Sequence, residues 1–261
     1  MNKSINITFI QSFLFWEDPE KNISEFDNII ENINEATDLI ILPEMFTTGF
    51  SVNPPFELGN ASSEALEWMK SKAKSKNIAI TGSVIHYEEK KLFNRMYWVN
   101  PDGSFFFYDK KYLFSLAGEH KTFTAGTKKV IINYKGFKFT PLICYDLRFP
   151  VWCKNRYNKI TQEYDYDIAI FIANWPEKRI YHWEQLLIAR AIENQVYVVG
   201  VNRIGEDNSG IFYNGNSMMI HPTGKILFKA ADNTKVIHTE TFHKTDIIEY
   251  RTQMPAGLDW D

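Results

Sequence analysis

The stretch Pro141-Leu142-Ile143-Cys144-Tyr145-Asp146-Leu147-Arg148-Phe149-Pro150 places a cysteine at the end of an apolar run. Residues 137–143 are typical of a buried strand. The residues after the cysteine are polar and charged up to Pro150, which favours the start of a helix. In α/β proteins, functional side chains collect where strands end at the carboxyl edge of a sheet. Because a thiolate is a nucleophile, this stretch predicts a reactive cysteine at such an edge.

The composition is that of a globular chain with a large core. The 261 residues are 44% hydrophobic and carry a formal net charge of −3, so no basic excess favours a nucleic-acid partner. Two cysteines are too few for a disulfide framework. No apolar run reaches the roughly 20 residues of a membrane span. Polar positions interrupt residues 5–16, which predicts a first strand and not a signal peptide. We therefore expect a cytoplasmic protein with no membrane partner.

Strands and helices alternate along the chain, but several neighbouring strands have no helix between them. This pattern predicts an α/β protein with a mixed sheet or two sheets, in a single domain over residues 1–261. Ser62 and Ser63 are candidates for a helix cap. The predicted strands are 5–11, 38–42, 78–87, 91–99, 104–109, 130–134, 137–143, 167–173, 196–201, 216–221, 225–229 and 236–241, and the main helices are 22–36, 62–76 and 180–195.

Three chemically useful side chains follow predicted strands: Glu44, Lys110 and Cys144. If the three strands are parallel and adjacent, these side chains meet at one edge. A free cysteine has a pKa near ~8.5, so a neighbouring carboxylate is needed to take its proton. A lysine ammonium and the backbone N–H of Tyr145 could then stabilise an oxyanion. Together these groups predict nucleophilic catalysis on a carbonyl.

Each of these residues also has an ordinary structural interpretation. Cys144 could be a small buried apolar residue, Glu44 a loop acid and Lys110 a solvated lysine. We expect a structural role for Cys153. No histidine has a neighbour at metal-ligand spacing, and the phosphate-loop, serine-elbow and dinucleotide motifs are absent from the sequence, so we expect neither a metal nor a cofactor.

The sequence resembles the nitrilase superfamily, the carbon–nitrogen hydrolases. The resemblance implies a four-layer α-β-β-α sandwich and a catalytic triad of Glu44, Lys110 and Cys144. The choice of Lys110 over Lys111 rests on the resemblance, because strand alternation cannot separate the two. The resemblance also implies that Glu119, which the residues alone would describe as a loop acid, is a second active-site glutamate. The motifs that carry the resemblance are LPEMF at 42–46, DKKYLF at 109–114, LICYDLRFP at 142–150, ANWP at 173–176 and ARAIENQ at 189–195.

Within this superfamily the chain looks most like the omega-amidases, which hydrolyse the terminal amide of short dicarboxylic acid monoamides such as 2-oxoglutaramate. A substrate carboxylate needs a cationic partner, for which Arg148, Arg179 and His182 are candidates. Arg148 could instead pair with a structural acid such as Asp146. Trp175 could line the pocket or pack in the core.

The resemblance also implies a homodimer, with residues 180–195 and the tail after Met254 as candidate contacts. Two alternatives remain open from the sequence. The same triad could hydrolyse a nitrile or an N-carbamoyl amine, because the pocket walls determine the substrate. The fold could also serve a non-catalytic binding protein, although binding alone would not require this set of residues.

Overall fold

The computed structural model describes residues 3–55, 57–58 and 61–260. The helices are α1 (Pro19–Glu31), α2 (Ser62–Lys76), α3 (Pro150–Cys153), α4 (Ile180–Asn194) and α5 (Lys244–Gln253). The strands are β1 (Ser4–Gln11), β2 (Leu39–Ile41), β3 (Ala79–Glu88), β4 (Lys91–Val99), β5 (Phe105–Asp109), β6 (Ile132–Tyr134), β7 (Phe137–Ile143), β8 (Tyr157–Asn158), β9 (Glu163–Tyr164), β10 (Ile168–Ala173), β11 (Tyr197–Asn202), β12 (Ile204–Glu206), β13 (Phe212–Asn214), β14 (Met218–Ile220), β15 (Ile226–Lys229) and β16 (Val236–His243).

Two six-stranded sheets form the centre of the fold. The strand order is β16-β1-β2-β3-β4-β5 in the first sheet and β15-β14-β11-β10-β7-β6 in the second. Both are mixed: β1, β2 and β3 are parallel, as are β7, β10 and β11, and the outer strands are antiparallel. Two short hairpins, β8–β9 and β12–β13, complete the strands that the structure describes.

Successive side chains of a strand point to opposite faces of its sheet, which explains how the sheets and helices form layers. In β2, Leu39 and Ile41 belong to the core between the sheets, whereas Ile40 packs with Phe26 of α1 and Met69 of α2 on the outer face. Because both faces are covered, all three β2 residues are buried. Helix α4 covers the outer face of the second sheet, where its buried stripe meets β11 and β14. The predicted four-layer α-β-β-α sandwich in a single domain is confirmed.

Most predicted elements are present, with shifted ends. Helix α1 begins at Pro19, three residues before the predicted start, because Asp18 Oδ1 accepts a hydrogen bond from the Lys21 N–H at 3.1 Å and proline suits the first helical turn. Helix α2 begins at Ser62 with Ala61 at the cap position, so the predicted serine cap is wrong; Ser62 Oγ lies 3.0 Å from His86 Nδ1. Two short hairpins were not predicted, because strands of two or three residues are too short to produce a periodic pattern.

The three site strands are not adjacent, so the condition under which their ends would meet at one edge of a single sheet is not met. Strands β2 and β5 lie in the first sheet with β3 and β4 between them, and β7 lies in the second sheet. The side chains that follow these strands can therefore meet only across the interface between the sheets. In the part of the chain that the structure describes, no helix is long and apolar enough to cross a membrane.

Trp98 anchors the interface between the sheets. Its ring is 1% exposed and lies 4.9 Å from the ring of Phe139 in β7, centroid to centroid. We expect Trp98→Ala to lower the free energy of unfolding by about 3–5 kcal/mol, because it opens a cavity between the two sheets. Phe106→Ala is the matched control, since Phe106 pairs with Trp98 across β4 and β5 but is 42% exposed, and it should cost about 1 kcal/mol or less. Urea unfolding measures both; equal losses would contradict this packing.

Candidate active site

Side chains from both sheets meet at one edge of the sandwich. Glu44 lies in the turn after β2, and Lys110 directly follows β5. Cys144 directly follows β7 in the second sheet. The backbone N–H of Asn174, just after β10, donates to Glu44 Oε2 at 2.7 Å. This hydrogen bond joins the two sheets at the candidate site.

Lys110 forms the electrostatic centre of the site. Its Nζ lies 3.0 Å from Glu44 Oε1, and 3.1 Å and 3.0 Å from the two oxygens of Glu119. All three side chains are fully buried. Burial alone would lower the pKa of Lys110, but the charges of Glu119 and Glu44 outweigh it and raise the pKa above its ordinary value. Lys110 is therefore a permanent cation near neutral pH.

Hydrogen-bond donors contact both carboxylate oxygens of Glu44 and its backbone oxygen. In addition to Lys110, Oε1 accepts from Asn94 Nδ2 at 2.8 Å. Oε2 accepts the Asn174 N–H, and Asn174 Nδ2 donates to the Glu44 backbone oxygen at 2.8 Å. The next residue, Met45, has a φ of 46°, and its N–H donates to Ser83 Oγ at 2.9 Å. These contacts fix the carboxylate in one orientation beside the cysteine.

Cys144 occupies a sharp turn between β7 and a short 3-10 helix, residues 144–148. Its φ of 45° lies in the left-handed region, which is uncommon outside glycine, asparagine and aspartate. Burial raises the pKa of its thiol, the Glu44 charge raises it further, and the Lys110 charge opposes both; the result lies well above the ordinary value. The resting group is therefore a thiol, so attack requires a base, and Glu44 is the carboxylate whose charge acts on it most strongly.

A cavity of about 260 Å³ opens in front of the sulfur. Aromatic and apolar side chains supply most of its wall, a composition that suits a small organic ligand. Two arginines also line it. Its lining residues are Phe50, Val52, Phe114, Ala117, Cys144, Tyr145, Arg148, Asn174, Trp175, Pro176, Arg179, Asp207, Ser209, Ile211 and Tyr213.

The structure brings together most of the residues that the sequence singled out. Glu44, Lys110, Glu119 and Cys144 form one cluster. Tyr145, Arg148, Trp175 and Arg179 line the cavity. Trp175 is also 3% exposed and packs on Trp183, so both of its expected interpretations apply. Its neighbour in the motif, Asn174, contacts Glu44 directly.

His182 does not line the cavity. It is exposed at the start of α4, where its Nδ1 accepts a hydrogen bond from Arg148 Nη2 at 3.1 Å. The expectation that it faces the substrate is therefore not met, because a residue this early on α4 faces outward beside Arg148. The alternative pairing of Arg148 with Asp146 is also absent, since backbone N–H groups and Tyr108 occupy the Asp146 oxygens.

Two parts of the site escaped the sequence analysis. Asn94 lies inside β4, where a buried amide in an apolar strand is the only signal of its role. The β12–β13 hairpin contributes Asp207, Ser209, Ile211 and Tyr213 to the cavity wall. Gly205 and Gly210, both with positive φ, mark this hairpin as a turn but do not indicate what it faces.

Comparisons with known proteins identify the family of the chain. The family model for carbon–nitrogen hydrolases matches residues 5–252. The chain belongs to the carbon–nitrogen hydrolase family. It is 41% identical to "Omega-amidase YafV" of Escherichia coli over 98% of this chain and 97% of that protein. It is 32% identical to "2-oxoglutaramate amidase" of Bacillus subtilis over 97% and 96% of the two chains.

A solved structure resembles the fold closely. It is a carbon–nitrogen hydrolase superfamily protein of Xanthomonas campestris with an arsenic adduct in its active site, 36% identical, with a TM-score of 0.93 over 99% of this chain and 97% of that one. Among the described residues, no group of three or more histidine, cysteine, aspartate or glutamate side chains could hold a metal ion.

Glu44→Gln should separate thiol acidity from turnover. Removing the negative charge beside Cys144 lowers the pKa of the thiol, because one cause of its elevation is lost while Lys110 remains. At pH 8 we expect faster alkylation of Cys144 by iodoacetamide but at least about 100-fold slower turnover of amide, since the base is gone. Intact-protein mass spectrometry and ammonia release measure the two effects. Slower alkylation together with normal turnover would contradict the arrangement.

Proposed function

We propose that this carbon–nitrogen hydrolase is an amidase that removes the terminal amide of short dicarboxylic acid monoamides, with 2-oxoglutaramate as its substrate. The observation that carries the proposal is the buried Lys110–Glu44 pair beside Cys144 at the base of a small cavity that two arginines line. The names of the relatives from Escherichia coli and Bacillus subtilis support the same activity. We propose the whole chain, residues 1–261, as the hydrolase domain.

The first half-reaction transfers the acyl group to sulfur. Glu44 takes the proton of the Cys144 thiol as the sulfur attacks the amide carbon. The Lys110 ammonium and the N–H of Tyr145 stabilise the oxyanion of the tetrahedral intermediate, each donor contributing roughly 3 kcal/mol. The carbon–nitrogen bond then breaks, and Glu44 returns the proton to the nitrogen, so ammonia leaves and a thioester remains on Cys144.

The second half-reaction hydrolyses the thioester. Glu44 takes a proton from water, the hydroxide attacks the thioester carbon, and the proton passes to sulfur as the acid leaves. Glu119 acts on Lys110 in this scheme: both of its oxygens contact the ammonium, and the Phe114 N–H donates to Oε2 at 2.5 Å. The sulfur supplies the covalent step, so the scheme needs no metal or organic cofactor.

The substrate carboxylate has two candidate partners. Arg148 and Arg179 both line the cavity, and neither forms an ion pair within the described residues 3–55, 57–58 and 61–260. The Arg148 guanidinium stacks 4.8 Å from the ring centre of Trp175, and the Arg179 guanidinium lies 5.5 Å from that of Phe114. Burial and the Arg179 charge lower the pKa of Arg148. Two unpaired cations in one apolar cavity favour an anionic ligand.

Loss of the sulfur should stop the reaction. For Cys144→Ala we expect at least about 10⁴-fold lower kcat with 2-oxoglutaramate, because no covalent intermediate can form. Cys153→Ala is the matched control: Cys153 is buried but does not line the cavity, so its loss should change kcat less than about 3-fold. Ammonia release measures the kcat of both variants. In wild-type enzyme quenched during turnover, mass spectrometry should detect the acyl group attached to Cys144. Turnover by the Cys144 variant at the wild-type rate would refute the mechanism.

Specificity for a carboxylate should depend on the two arginines. Arg148→Met and Arg179→Met should each raise KM for 2-oxoglutaramate or succinamate by about 10- to 100-fold, the value of a charge-assisted hydrogen bond. KM for uncharged butyramide should stay unchanged. Lys178→Met controls for charge, because Lys178 is exposed and outside the cavity. Equal effects on charged and uncharged amides would contradict the assignment, and faster turnover of nitriles or N-carbamoyl amines would contradict the amidase activity.

Cellular location and assembly remain predictions. Both cysteines are free, which supports the proposed cytoplasmic location. Large apolar side chains are exposed on α4 and in the tail, including Tyr181, Ile192, Met254 and Leu258. They support the proposed homodimer contacts of residues 180–195 and of the segment after Met254.

A further inference from the structure

Asp146 connects the segment that carries Lys110 with the segment that carries Cys144, and it does not line the cavity. It is completely buried. Its Oδ2 accepts from the Ile143 N–H at 3.0 Å, and its Oδ1 accepts from the Tyr112 N–H at 2.9 Å. Ile143 directly precedes Cys144, and Tyr112 lies two residues after Lys110. We propose that Asp146 is a positioning residue that holds the Cys144 sulfur in register with Lys110; this inference rests on the amidase function proposed above.

Tyr108 provides a second link in the same network. Its hydroxyl donates to Asp146 Oδ2 at 2.7 Å and accepts from Trp152 Nε1 at 2.9 Å and from the Lys111 N–H at 3.3 Å. Tyr108 lies two residues before Lys110 in β5. The carboxylate is therefore tied to the chain on both sides of the lysine, and to the segment on the N-terminal side of the cysteine.

This network crosses the interface between the sheets. Strand β5 belongs to the first sheet and β7 to the second, so no backbone ladder sets the distance between Lys110 and Cys144. Asp146 supplies that connection from within the turn that carries the sulfur. Its bond to the Ile143 N–H spans Cys144, whose φ of 45° needs support from its surroundings. Loss of this bond would allow the turn to relax away from the lysine.

The charge state of Asp146 supports the same role. Burial raises the pKa of Asp146 to about 6. The hydrogen bonds from Ile143, Tyr108 and Tyr112 and the charge of Lys110 lower the pKa, but they do not outweigh burial. At pH 8 the group is therefore a carboxylate, which accepts from all three donors. An asparagine there keeps one acceptor oxygen but turns an N–H₂ group toward another donor, so at least one of the three bonds is lost.

Asp146→Asn tests the proposal, with Asp167→Asn as the matched control. Asp167 is also buried and accepts from a backbone N–H, that of Lys138 at 2.9 Å, but near the opposite end of β7 from Cys144. At pH 8 we expect Asp146→Asn to lower kcat by about 10- to 100-fold with KM within about 3-fold, because a small misplacement slows the chemical step more than binding. Asp167→Asn should lower the melting temperature but leave kcat per folded molecule unchanged.

A second readout does not depend on the substrate. The pH dependence of Cys144 alkylation by iodoacetamide reports the thiol pKa, on which Glu44 and Lys110 act in opposite directions. We expect Asp146→Asn to displace this profile and Asp167→Asn to leave it in place. If both variants lose the same melting temperature, while kcat and the alkylation profile of Asp146→Asn match wild type, Asp146 is structural only and the proposal is overturned.

The two proposals can fail separately. If wild-type protein releases no ammonia from 2-oxoglutaramate, the proposed function is wrong, but the alkylation profiles still decide the role of Asp146. If Asp146→Asn does not fold, Tyr108→Phe removes one donor and keeps the ring. It should lower kcat by about 3- to 10-fold, with KM unchanged and the alkylation profile displaced; an unchanged kcat and profile in Tyr108→Phe would overturn the proposal.

Discussion

The buried ion pairs of Lys110 with Glu44 and Glu119 are the constraint on which the site depends. An ammonium and two carboxylates without solvent are stable only when each is paired and hydrogen-bonded, because desolvation costs several kcal/mol per ion. Nζ contacts both acids, and Asn94 and the Asn174 N–H complete the shell of Glu44. Burial, together with the excess of negative over positive groups in the cluster, keeps the neighbouring cysteine a thiol. Because the cysteine rests as a thiol, the reaction requires a base, and Glu44 is placed to act as that base.

The sandwich explains why such a cluster can exist. Strands β2 and β5 deliver an acid and the lysine from one sheet, and β7 and β10 deliver the sulfur and an amide from the other. Face-to-face packing around Trp98 and Phe139 sets the separation of the two sheets. Because the sheets are closely packed, the distances between the reacting groups that follow their strands are fixed. A site between two sheets is also shielded from water, which strengthens its electrostatic interactions.

The sequence predicted the chemistry better than the geometry. A strand that ends at Glu44 or Cys144 is a local pattern, and motif resemblance supplied Glu119, which no local pattern could identify. Strand pairing is not local, so three strand ends in two different sheets could not be distinguished from three neighbours in one. The role of Asn94 depends on what faces it across space. The predicted start of α4 at residue 180 is correct, but whether His182 faces the cavity depends on how α4 packs against the second sheet, which the pattern of the helix alone does not give.

The cavity combines walls from two kinds of element. Cys144 and Asn174 follow central strands that are buried on both faces, and their neighbours fix them through backbone hydrogen bonds. The opposite wall comes from the β12–β13 hairpin, whose Asp207 is occupied by the Tyr213 hydroxyl and by nearby backbone N–H groups. A left-handed cysteine stores backbone strain of order 1–3 kcal/mol, which the packed strands and hydrogen bonds around it must sustain. The catalytic geometry is thus fixed by the sheets, whereas the hairpin can change in sequence and alter the substrate without disturbing the sulfur.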